Sequence, residues 1–454
     1  MMDRSGRRRN VAFRPQSEPM EGRLLLSTIP PVNQRHPYLR PLGVPAVRPN
    51  TPVLPFGATK VASFIDPTVG IVNGRHVIVG NKTFIAPYAR LNATSGFIKI
   101  GTGSNILDGA TLTSNPTRAK NPTTSILIGN LVSVGFGATV LGPTQIGSLG
   151  AQAKPTGIGA NALIDSATIE PGAIVGTLAR VGPGVTVPSG MYVLPGSNVT
   201  TNAEASDPAL GKVVPVTATE FTDLTKNLAN NTALAAGYAA LYQGDTSTGT
   251  SNVFSPVRKG VNNGNLSAVE GASNEPGSAN GPSFEPASPV GPTFLAPLGQ
   301  QQPGLIADFR ARVTGQVVFH QQAAIVAHRL GIGNSIRADQ GQPFIFGSTF
   351  TSGDYVVINS PLGSNVASTN SGLTIYDGVQ AGDRSVILGG PGAKVSIGGN
   401  VIIGAGAVLD RTTVGAGSTI GARAYVANST IPDNTAIPAG AIIINNKLVG
   451  SIQW

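Results

Sequence analysis

Residues 397–449 read IGGNVIIGAGAVLDRTTVGAGSTIGARAYVANSTIPDNTAIPAGAIIINNKLV, and one aliphatic residue returns about every six positions. An amphipathic helix repeats its apolar residues at three and four positions, and a half-buried strand repeats them at two. A six-residue repeat is instead typical of a parallel β-helix, in which the aliphatic side chains of stacked coils share one narrow core. The repeated residues are Ile397, Ile403, Leu409, Val414, Ile420, Val426, Ile431, Ile437, Ile443 and Val449.

The first half of the chain carries the same repeat. Its aliphatic positions are Ile128, Val134, Val140 and Ile146, followed by Val175, Val181, Val187, Val193 and Val199. A narrow core favours slim side chains and tight corners, which agrees with 5% aromatic residues and 59 glycines. We therefore predict an all-β protein of two tandem left-handed parallel β-helices.

Three stretches interrupt the repeat and divide the chain. Residues 219–242 are rich in Ala and Leu at helical spacing, which predicts one long α-helix with Thr219 as its cap. Stretches rich in Pro, Gly and Ser predict linkers. The predicted organisation is a disordered basic N-terminus with a Pro-rich linker at 1–62, a β-helix plus α-helix at 63–243, a linker at 244–308, and a second β-helix at 309–454.

Charge and composition argue against several classes of protein. The net charge is +9, but residues 1–50 hold nine Arg and only three acidic residues, so the folded part is nearly balanced. Nucleic-acid binding needs a basic face, and we expect none. The sequence contains no run of 18 apolar residues, so it predicts no membrane span. The chain has no cysteine, which excludes disulfides and thiolate zinc sites.

The N-terminal segment 17–27 reads SEPMEGRLLLS. It resembles a short export motif of secreted bacterial proteins, Leu-Glu-Pro-Arg followed by a Leu pair. The resemblance implies an exported or cell-envelope protein. A solvated basic tail on a cytoplasmic protein is the alternative.

Both halves carry short motifs at their turns. The first half has Phe64-Ile65-Asp66-Pro67, Arg90-Leu91-Asn92, Ser104-Asn105-Ile106-Leu107-Asp108-Gly109 and Leu141-Gly142-Pro143, and the second has Arg337-Ala338-Asp339-Gln340-Gly341 and Gly353-Asp354. These motifs resemble, twice, those of the γ-class carbonic anhydrase family, which includes the anhydrase-like domain of the carboxysome scaffold. The resemblance implies left-handed β-helices that assemble as trimers, with active sites shared between neighbouring subunits.

In that family three histidines hold a zinc ion, and the zinc-bound water attacks carbon dioxide. When the family motif is carried onto this chain, only Asp383 among the ligand positions is a usual zinc ligand. We therefore predict no bound zinc and no other cofactor. The degenerate ligand positions are Thr113, Phe136 and Leu141 in the first half and Asn359, Asp383 and Leu388 in the second.

Arginine and aspartate residues of the same motifs survive. In the family such residues lie in the subunit interface, where an arginine can bridge carboxylates. The resemblance thus implies a homo-oligomer, either a trimer or a three-fold pseudo-hexamer, with no nucleic acid and no membrane span. The alternative is that these side chains only bind backbone groups of their own turns. The candidate interface residues are Arg90, Asp108, Arg337, Asp339 and Asp354.

Two functional hypotheses follow. The first is a catalytically silent pseudoenzyme that acts as a structural or binding scaffold. The alternative is an active enzyme, either a carbonic anhydrase with a relocated metal or an acyltransferase with a histidine base. His76, His320 and His328 are the candidate histidines for that alternative.

Overall fold

The computed structural model describes residues 63–66, 68–114, 125–243, 312–315, 317–320, 330–339, 344–347, 349–360, 372–390 and 395–454, with further short strands at Val253–Phe254, Ala268–Val269 and Thr293–Leu295. Residues 1–62, which carry the predicted export motif and linker, lie outside the described residues, as does most of 244–308. The described chain forms two parallel β-helices, which confirms the fold class predicted from the six-residue repeat.

Three sheets, which we name A1, B1 and C1 in the order the chain visits them, form the first β-helix. Sheet A1 contains Val253–Phe254, Ser63–Ile65, Phe84–Ile85, Asn105–Ile106, Val132–Val134, Thr156–Ile158, Ile174–Val175, Met191–Val193 and the antiparallel Val213–Pro215. Sheet B1 contains Gly70–Val72, Arg90–Asn92, Thr111–Thr113, Thr139–Leu141, Leu163–Asp165, Arg180–Val181 and Asn198–Val199. Sheet C1 contains Ala268–Val269, Val77–Val79, Ile98–Ile100, Ile126–Ile128, Thr144–Ile146, Thr168–Ile169 and Thr186–Val187.

The second β-helix repeats this plan with sheets A2, B2 and C2. Sheet A2 contains Phe350–Ser352, Val379–Ala381, Ile402–Ile403, Thr419–Ile420 and Ala436–Ile437. Sheet B2 contains Arg312–Gly315, Ser335–Ala338, Val357–Asn359, Val386–Leu388, Val408–Asp410, Tyr425–Ala427, Ala441–Ile444 and the antiparallel Lys447–Ser451. Sheet C2 contains Thr293–Leu295, Val317–His320, Phe344–Phe346, Leu373–Ile375, Val395–Ile397, Thr413–Val414 and Thr430–Ile431. Three strands thus lie within the predicted linker.

The repeated aliphatic residues point inward, as predicted, except Val449, which is exposed. Ile403 pairs in parallel register with Ile420, and Ile420 pairs with Ile437, so like residues stack along the axis. Full burial of each such side chain contributes roughly 1.5–3 kcal/mol. Glycine is required at the corner after Ile403, because a Cβ on Gly404 would lie 2.4 Å from the backbone nitrogen of Ala422.

Helices occur in the described residues at the end of the first β-helix. Helix α1 spans Asn202–Ser206 and helix α2 spans Ala218–Gln243, with short 3-10 helices at Gly74–His76 and Pro208–Leu210. The predicted long helix is therefore present, but its cap is Thr217, whose hydroxyl accepts from the Glu220 backbone while the Glu220 carboxylate accepts from the Thr217 N–H. Thr219 lies inside the helix. In the described residues, no helix combines the length and apolar character needed to cross a membrane.

Candidate functional site between the two β-helices

The two β-helices contact each other through an apolar cluster that is separate from their own cores. The first β-helix contributes side chains of sheet A1 and of the corner that follows it, the second contributes sheet B2, and helix α2 packs over both. The cluster contains Phe64, Phe84, Ala86, Leu107, Phe136, Ala160, Leu178, Leu234, Ala235, Tyr238, Val357, Val386, Leu388, Val408, Tyr425, Ala427 and Ile442.

A buried ionic network lies inside this contact. The guanidinium of Arg337 donates from Nε and Nη2 to the two carboxylate oxygens of Asp108, at 2.8 and 2.7 Å, and from Nη1 to Asp339. The three side chains are at most 1% exposed. Burial by itself lowers the pKa of Arg337, but the carboxylates of Asp108 and Asp339 raise it well above its usual value. Arg337 therefore stays charged and ties the second β-helix to the first.

Helix α2 joins the same network. The Tyr238 hydroxyl donates to Asp339 at 2.6 Å, and its ring stacks 5.1 Å from that of Phe64 and 5.9 Å from that of Phe84. Burial and the neighbouring Asp339 carboxylate raise the pKa of this phenol well above its usual value. The hydroxyl thus remains a hydrogen-bond donor, and it holds the helix to both β-helices.

Two other predicted interface residues have different partners. The guanidinium of Arg90 lies over the ring of Tyr355, 4.8 Å from its centroid, and donates to the Tyr355 hydroxyl. The Asp354 carboxylate accepts from the backbone N–H of Ile332, in the preceding coil of its own β-helix. The structure therefore places Asp108, Arg337 and Asp339 together across the contact, while Asp354 binds backbone of its own half.

The degenerate ligand positions fall into two groups. On sheet B2, Asn359 pairs in register with Leu388, and Phe136 faces this sheet from the first β-helix. Neither carboxamide atom of Asn359 has a hydrogen-bond partner, although the residue is fully buried. Phe136 and Leu388 are only 6% and 8% exposed. Phe136 and Leu388 thus share the apolar contact, and Asn359 lies beside Leu388 on sheet B2.

The remaining ligand positions lie elsewhere. Thr113 and Leu141 pair in register on sheet B1 and are absent from the apolar contact with the second β-helix. The Asp383 carboxylate accepts from the Asp354 backbone at 2.8 Å. Within the described ranges, no three His, Cys, Asp or Glu side chains are close enough to hold a metal ion.

A cavity of about 320 Å³ opens beside Phe136 and Leu388, between sheet A1, sheet B2 and helix α2. Its polar groups come from all three elements. They include Tyr192, Asp223, Asn227, Asn231, Asp410 and Arg411. The cavity can accommodate a small molecule, and Phe136 and Leu388 give it an apolar wall.

Sequence reasoning missed several contacts between the halves. The Trp454 indole donates to the Leu178 carbonyl at 2.7 Å, and the Arg423 guanidinium lies 4.4 Å from the centre of the indole ring. Arg312 forms an ion pair with Asp66 at 3.3 Å. Among the candidate histidines, His76 lies at a surface turn, where its Nδ1 is 2.7 Å from the Asn73 amide. His320 has only its backbone described, and His328 lies outside the described residues.

Several known proteins are similar to this chain. No family model matches the chain. It is 28% identical over 172 residues to a carbonic anhydrase of Methanosarcina thermophila, covering 34% of this chain and 67% of that protein. Solved structures that resemble it include a hexapeptide transferase family protein of Anaplasma phagocytophilum (19% identity, 39% of this chain and 97% of that one, TM-score 0.29) and a putative acetyltransferase of Bacillus cereus (19%, 40% and 97%, TM-score 0.22). Over about a third of its length, the chain is thus similar in sequence to a carbonic anhydrase.

Proposed function

We propose that the protein is a zinc-free, catalytically inactive relative of carbonic anhydrase that acts as an oligomeric structural or binding scaffold. The observation that supports this most is the presence of Phe136 and Leu388 in the contact between the β-helices, with Asn359 beside Leu388 on sheet B2. These are positions that the family resemblance assigns to zinc ligands. A phenyl ring and an isobutyl group have no lone pair to offer a metal, and a neutral carboxamide is not a usual zinc ligand.

The charged network supports the structural half of the proposal. Arg337, Asp108 and Asp339 occupy the interface positions of the family motif and here join two β-helices of one chain. The chain lacks the family's zinc ligands but keeps Arg337, which bridges the two carboxylates. This combination is expected of a protein that needs to assemble but does not need to hydrate carbon dioxide.

Assembly beyond one chain is part of the proposal, and a trimer remains our expectation from the resemblance. Sheets B1 and B2 occupy equivalent positions in the two halves, but their outer faces differ. The outward residues of B2 are buried and mostly apolar, namely Val357, Val386, Val408, Tyr425 and Ile442. Their counterparts on B1 are only partly buried, namely Thr111, Thr139, Leu163, Arg180 and Asn198. A third β-helix on B1 would therefore be held mainly by polar contacts.

Catalysis is the direct test. The purified full chain should hydrate carbon dioxide no faster than buffer in a stopped-flow assay, with or without added zinc, and should not turn over acetyl-coenzyme A. Hydration above background that a zinc chelator abolishes would show the active anhydrase of the alternative hypothesis. Acetyl transfer to any amine or hydroxyl acceptor would show the acyltransferase.

We also propose export to the cell envelope or the medium, on the basis of residues 17–27 alone. Deleting residues 1–27 should move the protein into the cytosolic fraction of its host and leave its thermal unfolding unchanged. If the full chain and the deletion variant both fractionate with the cytosol, the segment is a solvated tail and the scaffold is cytoplasmic.

A further inference from the structure

The two β-helices are closed differently at their C-terminal ends. Helix α1 covers the last coils of the first β-helix, and its Ala205 is fully buried in that core. Val193 and Val199, the last core residues beneath it, are also fully buried. Ends of repeat folds normally carry such a cap, because the outermost coil otherwise leaves apolar surface in water.

The second β-helix has no helix at its C-terminal end. The exposure of its core residues rises from 0% at Ile420 to 5% at Ile431 and 8% at Ile437, and Ile443 is only partly buried. The chain then turns back as the strand Lys447–Ser451, which pairs antiparallel with Ala441–Ile444. This strand is a partial cap, since it adds one layer to sheet B2 and covers little of the core.

The strand Lys447–Ser451 is the last strand of sheet B2, so its outer edge has no strand partner among the described residues. All five of its residues are exposed, with Leu448 at 71% and Val449 at 58%. Natural edge strands are usually protected by proline, by several charges or by a covering element. Here Lys447 and a shift of register at Val449, between the pairs Ile442–Gly450 and Ile443–Leu448, protect the edge only in part. Leu448 and Val449 still form an exposed apolar edge that favours pairing with another strand.

We propose that this edge pairs with the same strand of a second copy of the chain, end to end about a two-fold axis. A strand that pairs antiparallel with itself about its middle residue places Val449 opposite Val449, Leu448 opposite Gly450 and Lys447 opposite Ser451. The two lysines are thereby kept apart, and the two valines meet at the axis. Such an isologous contact closes after two copies, and it buries the apolar edge and the open core end of both.

This contact differs from the trimer expected from the resemblance. A trimer of the family type uses the sides of the β-helices, whereas the strand Lys447–Ser451 lies at their end. The proposal also holds whether or not the protein is catalytic, so a failure here leaves the proposed function to its own test.

A cysteine cross-link tests the pairing. The wild-type chain has no cysteine, so Val449→Cys introduces a single thiol. Directly opposed Cβ atoms in an antiparallel pair lie roughly 4.5–5.5 Å apart, near the separation that a disulfide needs. Mild oxidation should convert most of this variant into a covalent dimer on non-reducing gels. The matched control is Ile402→Cys, since Ile402 is exposed to 46% on sheet A2, and it should dimerise only at the rate of random collision.

The mass in solution provides the second measurement. The wild type should sediment with twice the mass of the Leu448→Glu/Val449→Glu variant. With 46.1 kDa per chain, that is two chains against one, or six against three where the trimer also forms. Both side chains are exposed, so this variant should keep the wild-type circular dichroism and thermal midpoint. A wild-type monomer, a variant with unchanged mass, or equal cross-linking of Val449→Cys and Ile402→Cys would each overturn the proposal.

Discussion

Arg337 is the side chain on which the contact between the two β-helices most depends. Arg337→Ala removes both hydrogen bonds to Asp108 and leaves the carboxylates of Asp108 and Asp339 buried without their cation. Breaking a buried ion pair in this way costs about 3–5 kcal/mol. We expect the free energy of unfolding in urea to fall by that amount, as measured by far-UV circular dichroism and by the fluorescence of Trp454, the single tryptophan.

Arg411 supplies a matched control for that variant. It also pairs with an aspartate, Asp410 at 3.1 Å, but its side chain is 38% exposed. Exposed pairs contribute about 1 kcal/mol or less. Arg411→Ala should therefore change stability little, and equal losses for the two variants would show that the Arg337 network does not hold the halves together.

At Asn359 we predict a substitution that stabilises the protein. Its carboxamide is fully buried, and neither of its polar atoms has a partner. An unsatisfied buried polar group costs about 1–3 kcal/mol. Asn359→Leu, which keeps the volume, should raise the free energy of unfolding by about 1 kcal/mol or more. A loss of stability instead would show that the amide binds something in solution, and the apolar account of this position would be wrong.

The motif resemblance was sufficient to find Arg337, Asp108 and Asp339, because each occupies a defined place in a short turn. It could not show that Asp354 binds backbone of its own half, since that depends on the local path of one coil. Tyr238 and Trp454 were beyond reach for another reason. Tyr238 contacts Asp339, 101 positions further along the chain, and Trp454 contacts Leu178, 276 positions earlier. No sequence pattern around an aromatic residue near the end of a helix or of the chain predicts so distant a partner.

Among the elements, helix α2 is held by a buried hydrogen bond from Tyr238 to Asp339, besides a longer one from the Thr232 hydroxyl to the Lys82 carbonyl at 3.5 Å. Tyr238→Phe keeps the stacking on Phe64 and Phe84 but removes the hydrogen bond to Asp339. The second oxygen of that carboxylate already lacks a partner. We expect a loss of about 1–3 kcal/mol in urea unfolding. Tyr355→Phe, the same change at a partly exposed ring, should cost much less, and the reverse order would contradict a helix anchored through Asp339.

Helix α1 carries a titratable group that links its end to pH. The Lys212 ammonium and the Thr200 backbone N–H donate to the Glu204 carboxylate and lower its pKa to about 2. An unfolded glutamate has a pKa of about 4.3. The depressed pKa means that the ionised carboxylate favours the folded state above pH 4.3, and this contribution disappears as the pH falls towards 2.

We therefore expect the carboxyl carbon of Glu204 to titrate in NMR spectra with a midpoint near 2 in the wild type. In Lys212→Met the midpoint should rise towards 4, because the strongest hydrogen bond to the carboxylate is gone. An unchanged Glu204 midpoint would mean that the ion pair does not form in solution.

The elements themselves were largely predictable. Nine of the ten aliphatic residues of the six-residue repeat at 397–449 pack in the core of the second β-helix, as predicted. The exception is Val449, which lies on the strand that turns back antiparallel at the end of this β-helix. The helix was predicted within a residue of its ends. Its cap is Thr217 rather than the predicted Thr219, because Glu220 lies three residues after Thr217 and completes a reciprocal pair of hydrogen bonds with it. Which faces the helix would cover could not be read from its spacing.

For the molecule as a whole, the sequence predicted two β-helices but not their contact. Side-by-side packing depends on residues such as Phe136 and Tyr425, which lie outside the inward-pointing repeat. The contrast between sheets B1 and B2 was visible in the sequence as Thr111 and Thr139 against Val357 and Val386, yet it gains meaning only once the two sheets are known to be equivalent. Sheet B2 is covered by the first β-helix and helix α2 of the same chain. This explains why the outward residues of B2 are apolar while those of B1 are mostly polar.

Zinc titration by calorimetry tests the central claim, that packing has replaced metal binding at the contact between the β-helices. Wild-type protein, stripped with chelator and dialysed, should bind no stoichiometric zinc. The triple variant Phe136→His, Asn359→His and Leu388→His should bind one zinc per chain if these three positions correspond to the family's ligands, with unchanged circular dichroism showing that it folds. One zinc bound by each wild-type chain would contradict the account, and no zinc bound by the folded triple variant would show that these residues are not the counterparts of the family's ligands.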